Sequence, residues 1–288
     1  MSIFSDILLT VDFDRTLTAP DSTIPGRNLE AIRFFMENGG VFTVNSGRSL
    51  PMTRWFRDQV PVNAPLLLYN GSAAWDPQTQ QFSNCHIIDL DPQQLLTDIQ
   101  HRFPALNLEI QGVDAHYALS PNPGWENYCS NNRCTWKYAD PQHVPVPFLK
   151  FALYGEFREN TVASMYEATP EELALFDEAI AYVQERYGDR LEIFRACPRI
   201  VDFHAKGVSK NRCARQLQAQ LGRKYLVCVG DAENDLPMLE GADFAFCPSD
   251  GSVADRFPNV CPCGEGAVAE VIYKKIPEIL AISLDRTQ

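Results

Sequence analysis

The chain has 288 residues, 45% apolar and 22% charged, with a formal net charge of -12 at pH 7. Such a chain can bury a core of one large or two ordinary domains, which excludes disorder. The acidity, with no Lys/Arg run, excludes a phosphate-backbone binder, so nucleic acid is not an expected partner. The longest apolar runs, PLLLY and LVCV, fall far short of the roughly 18 residues that suggest a membrane span, so no membrane partner is expected. MSIFSD carries no basic region or cleavable apolar stretch, which predicts a cytoplasmic protein whose nine cysteines are reduced thiols. Cys261 and Cys263 form a C-x-C without a companion Cys or His pair, so zinc is not expected.

In chain order, ILLTVDFD predicts a buried strand. Pro25 to Asn38 follows as a helix, with Leu29, Ile32, Phe35 and Met36 on one face and Gly39 and Gly40 closing it. VFTVNSG reads as a second strand, a further helix is expected from near Arg48, and APLLLYNG reads as a third strand. From about Asp76 to Ala205 the regular alternation stops. Expected there are a strand FSNCHIIDL, a helix Pro92 to Phe103, two strands in LNLEIQGVDAHYALS, a Pro- and aromatic-rich stretch to Pro147, and a strand FLKFALYGE. A helix at about Thr169 to Tyr187 and strands RLEIFRA and RIVDFHA complete it. An ordinary crossover needs one helix and two short loops, so the economical reading is an inserted domain. The first pattern then resumes with helix SKNRCARQLQAQLG, strand KYLVCVGD, short helix DLPMLEGA and strand FAFC. The expected fold is α/β: a doubly wound, Rossmann-like parallel-sheet core from residues 1–78 and 205–288, enclosing an α+β insertion at 79–204.

In open parallel sheets the ligand site lies beyond the carboxyl ends of the strands. Those ends carry Asp12 and Asp14, then Asn45 and Ser46, then Asn70, then Asp231, with Asp235 four residues on. So many carboxylates converging on one crevice require a cation. An oxygen-preferring ion such as Mg²⁺ fits, held by carboxylates, waters and a substrate phosphate.

These residues resemble the haloacid dehalogenase-like superfamily of phosphohydrolases. DFDRT is similar to its first motif D-x-D-x-T, VNSGR to the second, a lysine before a helix to the third, and GDAEND to the fourth, G-D-x-x-x-D. The insertion resembles a C2-type cap, and GVSK with GDAENDLPML looks most like the Cof-type, C2B-capped phosphatases. The resemblance implies that Asp12 attacks phosphorus and forms an aspartyl-phosphate, and that Asp14 serves as acid and then base. It implies Ser46 and the Gly47 N–H at a helix start as phosphate donors, and Lys210 as the charge-neutralising lysine. Asp12, Asp14 through its carbonyl and Asp231 would hold Mg²⁺ directly and Asp235 directly or through water, with Thr16 orienting the first pair through its hydroxyl. Specificity would come from the cap closing over the crevice.

Several readings stay open on residues alone. Lys206 competes with Lys210, although helix register favours Lys210. Ser46 is also a plausible N-cap, Arg48 either meets substrate or lies on a helix surface, and Asn70 and Asn234 are turn residues that the resemblance raises to phosphate-site candidates. The aromatic group Trp125, Tyr128, Trp136 and Tyr138 suits either a sugar grip or a small satellite core. Arg195 and Arg199 are candidates for a second anionic group. Two positions depart from the family pattern: Arg15, where glycine is commonest, and Cys247, Pro248 and Ser249, where a Gly-Asn-Ala segment is usual. The expected function is a Mg²⁺-dependent phosphatase of a small phosphorylated metabolite, plausibly a sugar phosphate. The alternatives are a phosphomutase of the phosphomannomutase type and a non-catalytic phosphate sensor.

Overall fold

The computed structural model describes residues 2–140, 143–144, 147–156 and 167–285; parts of the Pro-rich stretch, 141–142 and 145–146, lie outside the described residues. The chain runs β1 (Ile7–Val11), α1 (Gly26–Glu37), β2 (Val41–Val44), β3 (Leu66–Leu68), β4 (Ala73–Asp76) and β5 (Gln81–Ser83). It continues with α2 (Pro92–Arg102), β6 (Asn107–Gln111), β7 (His116–Ala118), α3 (Pro123–Asn131), β8 (Trp136–Tyr138), β9 (Lys150–Tyr154), α4 (Pro170–Tyr187), β10 (Leu191–Cys197) and β11 (Ile200–Ala205). Last come α5 (Lys210–Gln220), β12 (Tyr225–Val229), α6 (Leu236–Glu240), β13 (Phe244–Pro248), β14 (Asn259–Val260), α7 (Ala267–Glu270) and α8 (Ile276–Asp285).

Two compact units result, one of Met1–Ser46, Asp58–Gln81 and Ser209–Gln288, the other of Gly47–Arg57 and Phe82–Val208. The first holds a five-stranded parallel sheet in the order β14-β13-β12-β1-β2. Every residue of β1 and β2 is buried, as the continuous apolar runs of a sheet covered on both faces require. This bears out the doubly wound α/β core. The third expected strand differs: β3 is three residues long and pairs antiparallel with β4, and a parallel bridge between Asn45 and Leu67 joins it to the main sheet. Just beyond it Gly71 has φ +97, and a Cβ there would lie 2.5 Å from the Ser209 carbonyl oxygen. A glycine lets the start of α5 approach this turn.

The second unit is built on a six-stranded sheet in the order β10-β11-β9-β6-β7-β8. One face carries Leu108, Ile110, Tyr117, Phe151, Leu153, Val201 and Phe203, which pack with Leu95, Leu96 and Ile99 of α2 and Phe176, Ala179 and Val183 of α4. The alternate positions include six polar yet buried residues: Glu109, Gln111, His116, Lys150, Asp202 and His204. A strand's period of two sorts these residues onto opposite faces.

Several local expectations fail for identifiable reasons. No α-helix begins near Arg48; the chain makes a short 3-10 turn at Pro51–Thr53, where the Thr53 hydroxyl donates to the Leu50 carbonyl at 2.8 Å. That bond competes with a helical ladder, and Pro51 has no N–H to join one. FSNCHIIDL is extended only to Ser83, because Asn84 turns left-handed at φ 52. The helix α3 was not expected, although Asn122 caps it by accepting from the Trp125 N–H at 3.1 Å and Pro123 occupies its first turn. The strands β8 and β14 and the helices α7 and α8 are further additions. Among the described residues no helix is long and apolar enough to cross a membrane.

Candidate active site

The apolar run of β1 ends at Val11, and Asp12 is the first residue beyond it, its N–H still bonded to the Val229 carbonyl of β12 at 2.9 Å. The parallel register sets Val11 beside Val229, so the carboxylates that follow each strand emerge at one sheet edge. Asp12, Asp231 and Asp235 are all buried, with carboxylate oxygens within 4.8 Å of one another.

Lys210 enters this group from the first position of α5. Its Nζ donates to Asp12 Oδ1 at 2.5 Å and to Asp235 Oδ1 at 2.6 Å. The helix start is fixed by Ser209, whose hydroxyl accepts from the Arg212 N–H at 3.1 Å. Lys206 instead lies half-exposed, 3.3 Å from Glu192, whereas Lys210 is buried among the carboxylates. Asp235 Oδ2 accepts the N–H groups of Asp231 and Ala232 at 3.0 and 3.1 Å. A Cβ on Gly230 would come 2.7 Å from Asp235 Cβ, so this close return needs the glycine before Asp231.

Burial, reinforced by the Asp235 charge, pushes Asp12 well above the usual carboxylate range against the pull of Lys210. Burial and Asp235 likewise raise Asp231 to about 7, while the hydrogen bond from Thr16 opposes the rise. Lys210 is held above its ordinary value: burial lowers it, but Asp12 and then Asp235 more than compensate. Three carboxylates around one ammonium therefore leave the cluster short of positive charge. That donor set, all hard oxygen, fits a dication such as Mg²⁺.

Thr16 does not orient Asp12 and Asp14 as expected; its hydroxyl donates to Asp231 Oδ1 at 2.8 Å. Asp14 is half-buried in the turn that follows β1 and stands outside the three-carboxylate cluster. Ser46 is buried at the end of β2, but its N–H donates to the Leu67 carbonyl at 2.9 Å and its carbonyl accepts from Asn70 at 3.0 Å. With no helix beginning there, a helix dipole cannot assist it. Asn70 is buried at φ 54, and Asn234 is half-buried in the short turn before α6. Gly47 and Arg48 belong to the second unit, where the Arg48 guanidinium lies 5.9 Å from the Trp55 ring centre. Asn45 bonds the Lys210 carbonyl through Nδ2 at 2.8 Å.

Sequence reasoning missed Ser252, whose N–H and hydroxyl both bond the Asp231 carbonyl, at 2.7 and 3.0 Å. No motif marks it; it lies in the turn after β13, the region that departs from the family pattern. The two candidate arginines of the insertion are occupied: Arg195 pairs with Asp177, and buried Arg199 lies 3.4 Å from Glu172. Trp125 and Cys129 form a satellite core with Tyr128 and Trp136, and the Trp125 and Trp136 rings meet edge-on at 5.8 Å. Cys263 is buried and its thiol bonds Asp250 at 3.2 Å.

The family model for haloacid dehalogenase-like hydrolases matches residues 9–254. A curated relative, the 5-amino-6-(5-phospho-D-ribitylamino)uracil phosphatase YitU of Bacillus subtilis, is 22% identical over 249 residues, covering 83% of this chain and 84% of its own. Among solved structures, a haloacid dehalogenase-like hydrolase from Bacteroides thetaiotaomicron superposes with a TM-score of 0.77 at 17% identity, covering 93% of this chain and 98% of that one. A sugar phosphatase of HAD subclass IIB gives 0.74 at 16% identity, covering 94% and 99%. The match spans most of the chain and all four strand-end motifs, so the chain belongs to the haloacid dehalogenase-like hydrolases, as an enzyme of their phosphatase type.

Proposed function

We propose that this enzyme is a Mg²⁺-dependent phosphatase that hydrolyses a small phosphorylated metabolite of the sugar-phosphate class through an aspartyl-phosphate on Asp12. The observation that carries this reading is the buried cluster of Asp12, Asp231 and Asp235 around the single ammonium of Lys210. Its charge deficit suits a site that receives a cation with an anionic substrate. The phosphatase relative and the sugar phosphatase of similar fold support the substrate class.

In this reading an Asp12 carboxylate oxygen attacks phosphorus and the bond to the leaving oxygen breaks. Asp14, less buried and outside the cluster, delivers a proton to that oxygen and then takes one from the water that opens the aspartyl-phosphate. Lys210 pulls Asp12 toward its ionised form against burial and aims it, because the ammonium fixes one carboxylate oxygen at 2.5 Å. Asp12, Asp231 and Asp235, with the Asp14 carbonyl, would hold Mg²⁺, which when bound supplies positive charge to the transferring phosphoryl group. Thr16 and Ser252 hold Asp231 from its two ends. Ser46, Gly47, Arg48, Asn70 and Asn234 are assigned to phosphate and substrate binding, and the inserted unit to substrate choice. The protein is assigned to the cytoplasm.

The test is a Mg²⁺-supplemented phosphate-release screen over sugar phosphates, nucleotides, phosphoglycolate-like acids and pyridoxal phosphate. Release by the wild type and none by Asp12→Asn is the expected result; equal turnover by both would falsify the mechanism.

A further inference from the structure

The segment Gly47–Arg57 follows directly on the second motif, yet it packs as part of the inserted unit. Three side chains of that unit tie it down. Lys150 Nζ donates to the Gly47 carbonyl at 3.1 Å, His116 Nε2 meets Ser49 Oγ at 2.6 Å, and Arg54 donates to Thr135 Oγ1 at 2.9 Å. The first two ties lie on either side of Arg48. They are also the ones built from buried ionisable groups.

The sheet register explains why each cation has a partner. On β6, Glu109 lies two residues from Gln111, which pairs with His116 of β7, so Glu109 and His116 share a face as diagonal neighbours. Their side chains form an ion pair, and Glu109 Oε2 also accepts from Trp125 Nε1 at 3.0 Å. Lys150 on β9 pairs with His204 of β11, and two residues along, Ala152 pairs with Asp202; Lys150 and Asp202 are thus diagonal neighbours, 2.7 Å apart. Each cation is anchored by a carboxylate and reaches onward to the segment. A buried pair made only to balance charge needs no such third contact, and an apolar pair would serve the sheet as well.

We infer that Lys150 and His116 are positioning residues, which fix the backbone on both sides of Arg48 and thereby set the enzyme's grip on its substrate. The inference rests on the proposed role of Gly47 and Arg48 in substrate binding. Neither Lys150 nor His116 touches the reacting atoms in this scheme; their effect falls on binding, leaving the chemical step to the core unit.

The experiment is steady-state hydrolysis of p-nitrophenyl phosphate with Mg²⁺, with inorganic phosphate as competitive inhibitor. The double variant Lys150→Met/Asp202→Asn removes the tie without stranding a buried carboxylate. It is expected to raise KM and the phosphate Ki about tenfold, the scale of a lost charge-assisted hydrogen bond, with kcat within about threefold. Asp202→Asn alone keeps the lysine and should leave KM within about twofold. Should the double variant not fold by circular dichroism, Ser49→Ala, which deletes one hydroxyl, is expected to raise KM by about threefold. Two controls separate the reaction mechanism and the role of Arg48 from the positioning role. Retained turnover in Asp12→Asn would overturn the phosphatase mechanism, and an unchanged KM in Arg48→Ala would overturn the role of Arg48. If Asp12→Asn is dead and Arg48→Ala weakens binding, yet a folded double variant or Ser49→Ala keeps the wild-type KM and Ki, the positioning role alone is wrong.

Discussion

Both units bury charge, but they balance it differently. At the ends of β1 and β12 three carboxylates cluster beside one lysine, which bonds two of them, Asp12 and Asp235. On the polar face of the inserted sheet each buried cation has its own carboxylate: Lys150 with Asp202, His116 with Glu109. The contrast separates two uses of burial. Matched pairs hold backbone in place and need nothing from solution, whereas an unmatched cluster is stable only if something positive joins it or some carboxylates take up protons. The upward shifts of Asp12 and Asp231 are the signature of the second case.

The largest test removes a member of the unmatched set. Asp12→Asn should lower phosphate release by at least about a thousandfold, since the nucleophile of the proposed mechanism has no substitute. It should not destabilise the metal-free protein, because one of the repelling carboxylates goes with it; urea unfolding in the presence of a chelator measures this. Strong destabilisation there would mean that the core cluster behaves like the matched pairs.

Adding the missing charge comes next. Mg²⁺ at 100 times its Kd should stabilise the folded protein by about 2.7 kcal/mol, by mass action on a site absent from the unfolded chain. Thermal unfolding with and without chelator reads this directly. The increment should be unchanged in Asp202→Asn and reduced in Asp231→Asn. An equal increment in all of them would locate the ion elsewhere.

The matched pairs give a pH dependence instead. Burial lowers His116, but the Glu109 carboxylate, together with a hydrogen bond to Cys134, overcomes it and raises the imidazole from 6.5 to about 9. A group whose folded value is raised contributes its stability in full below the unfolded value. Stability should therefore hold up to about pH 6.5 and fall by about 3 kcal/mol as pH rises through 9, at roughly 1.4 kcal/mol per pH unit. Urea midpoints across this range, compared with His116→Gln, test the claim; a slope that survives the substitution would assign it to another group.

The two units also differed in how far their sequences disclosed them. The core was legible because β1, β2 and β12 are apolar runs with a polar residue at or just past their ends, and because Asp12, Lys210, Asp231 and Asp235 sit at strand ends or helix starts. Local pattern and long-range placement agree there. In the insertion, Glu109 and His116 are ordinary polar positions within short strands, and only the β6–β7 register makes them neighbours. Register depends on pairings between distant segments, which no local period encodes. The same limit hid Thr16's partner, since a hydroxyl two residues past Asp14 gives no sign that it reaches Asp231.

Arg15 supplies the smallest expected effect and the clearest separation of backbone from chemistry. Strand alternation would aim its side chain away from Asp14, but alternation ends at the turn: Arg15 is exposed at φ 57, in the left-handed region. Its N–H donates to Thr18 Oγ1 at 3.1 Å, a bond that any residue except proline can make. The position thus asks for a conformation that glycine adopts freely and that costs other residues about 1 kcal/mol. Glycine also enlarges the entropy of the unfolded chain, which offsets part of the gain. Arg15→Gly should accordingly stabilise the protein by no more than about 1 kcal/mol, with kcat unchanged and any loss confined to substrate affinity. Urea unfolding and phosphate release on the same preparation decide it. A turnover loss approaching that of Asp12→Asn would mean that the guanidinium supplies charge the core cluster lacks, and the contrast between the two units would have to be redrawn around Arg15.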